Sequence, residues 1–203
     1  MSGANASALA RSHKGMTRVV DRYFSFFVIL PMLTAAVVES GMGRRLWGIS
    51  GTPGLWSGNI NSSHNSQFLW DPYTLTHITH GILLYAILAV AFRTLPLSTR
   101  LLMAVSVESM WEVIENTNFV IQRYRAETIS LNYFGDSIVN SMGDILACMT
   151  GFLLASRMPT RVSFAGVLTL EILLLLWTRD NLALNVVMLI HPSSALRAWQ
   201  MGQ

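Results

Sequence analysis

The chain has 203 residues, of which 52% are hydrophobic and only 12% charged. Soluble domains carry about 25% charged residues, so this balance excludes an ordinary soluble domain and points to a polytopic membrane protein folded as one bundle. The net charge of +3 comes from Lys and Arg scattered through expected loops, with no basic helix face, which argues against nucleic-acid binding. Cys148 is the single cysteine; it excludes an intrachain disulfide and reads as a small core residue.

Residues 1–22 are polar and basic, with Arg11, His13, Lys14 and Arg18. They read as a cytoplasmic tail rather than a signal peptide, because the following apolar run is long and no cleavage site with a soluble domain comes after it. A membrane bundle is expected over 23–190, with a short tail over 191–203. Span 1 is expected at about Tyr23 to Gly41, kinked by Pro31. The stretch 42–73 is the longest polar one, rich in Gly, Ser and Asn, with Trp47, Trp56, Phe68 and Trp70 interspersed. Loops this long are disordered or functional, and the aromatic residues suggest a segment folded onto the membrane interface.

Span 2 is expected at about Thr74 to Phe92, with His77 and His80 near its start, and span 3 at about Thr99 to Val120. A second polar connection, 117–135, holds Arg123, Tyr124, Arg125 and Glu127. Span 4 follows at about Asp136 to Ser156 and span 5 at about Ser163 to Thr178. Residues 182–190 are too few to cross a core that needs about 20; they form a half-helix or extend a bent span 5. The fold expected is therefore an all-α transmembrane bundle of about five spans with a long extracytoplasmic first loop. Basic residues favour a cytoplasmic N-terminus, since Arg93, Arg100, Arg157 and Arg161 then lie in cytoplasmic loops. Both long loops would face outward.

Span 3 carries Glu108, Glu112 and Glu115 at i, i+4, i+7, so a helix places all three on one face. A carboxylate at bilayer depth costs at least ~2.5 kcal/mol by insertion scales. Three on one stripe imply a partner surface, bound cations or protons, or a wet cavity. Span 4 offers Asp136, Asn140 and Asp144, again on one face. Counting inward from the shared loop at ~1.5 Å per residue sets Glu115 or Asn116 level with Asp136, Glu112 with Asn140, and Glu108 with Asp144. His77 and His80 enter from the same side at the depth of Glu112 and Glu115. Each group also has a plainer role. Asp136 and Ser137 suit a helix cap, Glu108 and Asp144 suit protonated glue between helices, and Arg123 and Arg125 suit anionic headgroups.

The site expected from this convergence has His80, Glu112, Glu115 and Asp136 as acid–base groups. Arg123, Arg125 and Asn140 would bind substrate, the guanidinium groups matching phosphate oxygens. His77, His80, Glu112 and Asp136 would hold a divalent metal if there is one: imidazole with carboxylate suits Zn, Mn or Fe, and carboxylate with water suits Mg or Ca. No P-loop, Gly-x-Gly-x-x-Gly or Gly-x-Ser-x-Gly is present.

The runs Asp71–Gly81, Trp111–Asn116, Arg123–Arg125 and Tyr133–Asp144 resemble a numbered family of uncharacterised bacterial inner-membrane proteins. The resemblance covers about Asp71 to Arg157. More distantly the layout is similar to the VanZ-like proteins, with Asp71, His77 or His80, Glu112, Arg123, Asp136, Asn140 and Gly143 in the matching places. Glu115, Asp144 and the second histidine depart from that pattern. The resemblance implies a cell-envelope role and no particular reaction. Two functions are carried forward. One is an enzyme acting on a lipid or lipid-linked, phosphate-containing envelope substrate at the outer face of the inner membrane. The other is a proton- or ion-coupled transporter, lipid-binding protein or scaffold. A transporter needs polar groups in the cytoplasmic half, where spans 2 and 3 are apolar and only Glu171 of span 5 is at hand.

Overall fold

The computed structural model describes residues 24–48 and 51–202. The basic tail and the cytoplasmic N-terminus expected for it lie outside the described residues. Among the described residues eight helices follow in order: α1 (Phe24–Gly41), α2 (Thr74–Ala91), α3 (Leu97–Glu115), α4 (Asn118–Glu127), α5 (Ile138–Arg157), α6 (Thr160–Thr178), α7 (Leu182–Ile190) and α8 (Ser194–Gln200). No named strand occurs among the described residues; one isolated bridge joins Trp56 and Trp70. This is an all-α membrane bundle. Helices α2, α5 and α6 are long and apolar enough to cross a bilayer core, and Phe26–Gly41 is a shorter apolar helix. Helix α3 matches them in length but spends its polarity on three glutamates.

Helix α5 is the hub. It packs on α1, α2, α3 and α6, and 61% of its apolar window is buried, against 6% for α6. The tightest contact is between α2 and α5, where small residues let the backbones meet. A methyl group at Gly81 would sit 1.9 Å from the Cys148 carbonyl oxygen, and one at Gly151 would sit 2.0 Å from that of Ile78. Without a hydrophobic drive between helices in lipid, such close packing holds the pair. Cys148 is buried at this contact, the core position expected of it. Away from the long loops, Val28, Ala35, Leu88, Leu101, Ala104, Val105, Ile145 and Phe152 form a dry plug shared by α1, α2, α3 and α5.

The expected end of span 3 changes, and the two alternatives for 182–190 are decided. Span 3 ends at Glu115, not Val120, because Asn116 folds back onto Glu112 and Thr117 caps a new helix by accepting from the Val120 N–H. The connection 117–135 therefore contains α4. At the far end Arg179 adopts a left-handed conformation (φ 57°) and closes α6. Asn181 then caps α7 through the Leu184 N–H, so 182–190 is a separate half-helix. Glu171 accepts hydrogen bonds from the Leu182 and Ala183 N–H groups. It neutralises the positive end of α7 rather than extending a polar path.

The first loop is folded against the start of α5. The orphan N–H groups of that helix end donate to it: Ser137 to the Ser66 carbonyl, Ile138 to Arg45 and Val139 to Leu46. Ser137 Oγ donates to the Gln67 carbonyl and accepts from the Asn140 N–H. Ser66 sits at φ 61°, an uncommon conformation for a non-glycine residue. It is held there by its N–H bond to Asp71 and by Ser137.

The α2–α5 contact gives a first test. Gly81→Val should destabilise the bundle by at least ~1–3 kcal/mol through overpacking. Gly166→Val on α6, which has open space around it, should leave the thermal midpoint in detergent unchanged.

Candidate functional site

The backbone contact at Gly81 brings the first turns of α2 against α3 and α5. His77 and His80 lie one turn apart on α2, and both rings face Glu108 of α3. The Nδ1 atoms of His77 and His80 stand 2.6 and 3.0 Å from Glu108 Oε1. Both rings donating from Nδ1 to an ionised carboxylate would leave the Nε2 lone pairs free. His77 Nδ1 is also 3.3 Å from Glu112 Oε1, and its Nε2 is 3.8 Å from Asp144 Oδ2. Glu108, Glu112 and Asp144 are all almost wholly buried.

Among the described residues the donor atoms fall into three overlapping groups, each within 4.8 Å: His77–His80–Glu108, His77–Glu112–Asp144 and Glu112–Glu115–Asp136. His77 joins the first to the second, and Glu112 the second to the third. Only the first group has two imidazoles, the ligand chemistry of Zn, Mn or Fe; the third is all carboxylate and suits Mg or Ca. Glu112 Oε1 and Asp144 Oδ1 are buried without a hydrogen-bond partner, which is costly for a polar group unless something pairs with it.

Asp136 precedes α5 and is tied across to the end of α3. Its Oδ2 accepts from Tyr133 Oη at 2.8 Å and from Asn116 Nδ2 at 3.1 Å, and its N–H donates to Asn116 Oδ1 at 2.8 Å. Ser137, not Asp136, is the helix cap. Burial outweighs these bonds and pushes the Asp136 carboxyl up to about 6. Asp71 is held by the N–H groups of Ser66 (2.7 Å) and Tyr73 (2.8 Å); burial raises its carboxyl as well.

A cavity of about 640 Å³ opens onto this cluster, within the usual size range for small-molecule sites. Its floor carries His77, His80, Glu108, Asp136, Asn140 and Asp144. One side is apolar and runs along Leu83, Leu84 and Ile87 of α2, Val107 and Trp111 of α3, and Val186 and Leu189 of α7. Ile87 is 60% exposed and Val107 42%, so this side is open between helices. The other end lies under the first loop and the segment 129–134.

The sequence-based site residues separate here. His77, His80, Glu112, Glu115 and Asp136 come together. Asn140 lines the cavity, but its amide donates to the Phe68 carbonyl at 2.9 Å rather than facing Glu112. The two arginines are employed elsewhere. Arg123 donates to the Leu189 carbonyl and pairs with Glu127. Arg125 donates to the Leu131 carbonyl and lies over the Phe134 ring. Between them Tyr124 reaches the cavity, with its hydroxyl donating to Asn185 Oδ1. Glu108, expected to pair with Asp144 as glue, is instead the shared partner of both histidines. Asn116, placed level with Asp136 by the register, does meet it, whereas Tyr73, Tyr133 and the buried Glu39 of α1 were not singled out by spacing. The lone glutamate in the apolar run Val37-Val38-Glu39 was the one available signal.

Fold and site together define a helical membrane protein with a buried acid–imidazole cluster at one end of the bundle. The chain belongs to the family described as protein of unknown function DUF2585, whose model matches residues 39–202. It is 52% identical over 174 residues to a UPF0314 protein of Sinorhizobium fredii, covering 85% of this chain and 88% of that one. A UPF0314 protein of Brucella anthropi is 50% identical over 152 residues (75% and 77%) and one of Paracoccus denitrificans 44% over 184 (91% and 94%). These matches bear out the numbered family expected from the motifs; the VanZ-like layout rests on residue order alone. No solved structure matches.

Asp136 gives a pH test. Its carboxyl titrates near 6 in the folded state against an ordinary 3.8, so between those values the folded chain holds a proton that the unfolded chain has released. Stability should therefore fall as pH rises from about 4 to 6. Asp136→Asn should lessen that slope in detergent melts, the other buried carboxyls keeping the rest.

Proposed function

We propose that the protein is a metal-dependent enzyme of the bacterial inner membrane. It acts at the phosphate of a lipid or lipid-linked envelope substrate from the outer face, with its N-terminus in the cytoplasm. The observation that carries this reading is the charge of the cavity. Among the described residues its wall contains Asp71, Glu108, Glu115, Asp136 and Asp144 and neither Lys nor Arg. A phosphate is repelled by such a wall unless a cation bridges the two, and two imidazoles stand among the carboxylates to bind one. The apolar side between α2, α3 and α7 suits an acyl or prenyl chain arriving from the leaflet. The charge bias of the short loops favours the orientation.

In this reading His77, His80 and Glu108 would hold the ion, His77 and His80 through the Nδ1 atoms that face Glu108, with Asp144 near the Nε2 of His77 to steady that ring from behind. A bound ion would supply Lewis-acid polarisation of the phosphoryl group and a more acidic water. Asp136, titrating near 6, is suited to take the proton of that water, with Glu115 beside it. Water oxygen bonds to phosphorus as the ester P–O bond breaks, and the leaving oxygen receives a proton. The dry plug beneath the site supports a one-sided pocket over a conduit for ions, as does the use of Glu171 to cap α7.

Purified protein should carry about one Zn, Mn or Fe ion per chain by elemental analysis, lost in His80→Ala while helicity by circular dichroism is kept. Asp144→Asn should weaken metal affinity by about 10–100-fold, as removal of a supporting partner does. A metal-free wild type that regains no ion on titration, with an unchanged lipid profile in a deletion strain, would falsify the proposal.

A further inference from the structure

Beyond the ion and the apolar side, the cavity has a third compartment. The wall under the first loop is drawn from residues 60–67 and 129–134 and contains no charged side chain among the described residues. Its polar members are amides and hydroxyls, among them Asn61, Ser63, Asn65, Ser130 and Asn132. Asn65 Oδ1 is buried there with no hydrogen-bond partner. Asn61, Ser63 and Asn132 belong to exposed residues and offer both donors and acceptors. Uncharged groups that donate and accept in equal measure match hydroxyl groups, which do the same. They offer nothing specific to an ammonium, which would be drawn instead to the carboxylates on the floor.

The compartments follow one another in a fixed order along α2. Ile87 on the apolar side is two turns past His80, about 10 Å at 1.5 Å per residue, and the uncharged wall lies on the other side of the histidines. From the order of these walls we infer that the substrate is an amphiphile whose phosphate joins an apolar chain to a neutral, polyhydroxylated headgroup, a sugar, cyclitol or glycerol. This rests on the proposed function for the placement of the phosphate and adds the class of headgroup.

The test uses full-length protein in nanodiscs, loaded with Mn²⁺, with metal content measured on the same sample. Binding of three soluble phospholipids is compared by native mass spectrometry: dioctanoyl phosphatidylinositol, phosphatidylglycerol and phosphatidylethanolamine. The two polyol lipids should bind about tenfold more tightly than the ethanolamine lipid, as expected for a few additional hydrogen bonds. A gap between the first two tells a ring polyol from glycerol. The triple variant Asn61→Ala, Ser63→Ala, Asn132→Ala should lose most of that preference while keeping its metal. Equal or tighter binding of the ethanolamine lipid overturns the inference, and so does a triple variant that keeps the preference. Either result on metal-loaded protein leaves the metal reading intact, whereas protein that takes up no Mn²⁺ sinks that reading separately.

Discussion

Everything at the polar end of this bundle depends on the backbone contact between α2 and α5. Gly81 lies directly against the Cys148 carbonyl, and Gly151 against that of Ile78. With no side chain between them, the two helices come close enough for α2 to hold its histidines level with the acids of α3 and α5. Bulkier residues would part the pair and carry the imidazoles out of reach of Glu108, 2.6 Å away. The small residues thus do more than fill space: they set the scale of the cluster.

The cluster is expensive to bury. Six carboxylates, from Asp71, Glu108, Glu112, Glu115, Asp136 and Asp144, gather with two imidazoles in a small volume, four of them essentially without solvent contact. Backbone N–H groups serve Asp71; Asn116 and Tyr133 serve Asp136. Glu112 and Asp144 each keep an oxygen with no partner. A buried polar network only partly satisfied in this way costs more than an apolar core. An ion of the kind proposed would supply the missing partner.

Much of this arrangement was legible in the residues. The i, i+4, i+7 stripe on α3 and the matching stripe on α5 gave a shared face, and counting from their common loop gave a common depth. Those deductions use only helical periodicity, which is why they reached the right neighbours. What periodicity does not encode is which loop carbonyl claims a side chain. Asn140 belongs to the stripe but is taken by Phe68, and Arg123 by Leu189. Glu108 was misjudged for a related reason: equal depth put Asp144 opposite it, whereas an imidazole on a third helix is the stronger partner. The break at Glu115 was hidden because Asn116 and Thr117 are ordinary residues until their side chains fold back as caps.

The covering loop has an implication for how the chain is made. Its carbonyls at 45, 46, 66, 67 and 68 find their donors at the start of α5, 70 residues later for Gln67 and Ser137. During synthesis that segment must wait, unpaired, until α5 has been inserted. Pairings this distant in sequence are slow to form because the intervening chain has to be ordered first. The chamber above the histidines is therefore finished late, by the same helix that supplies its floor, so a chain arrested before α5 would display the imidazoles of α2 with nothing over them.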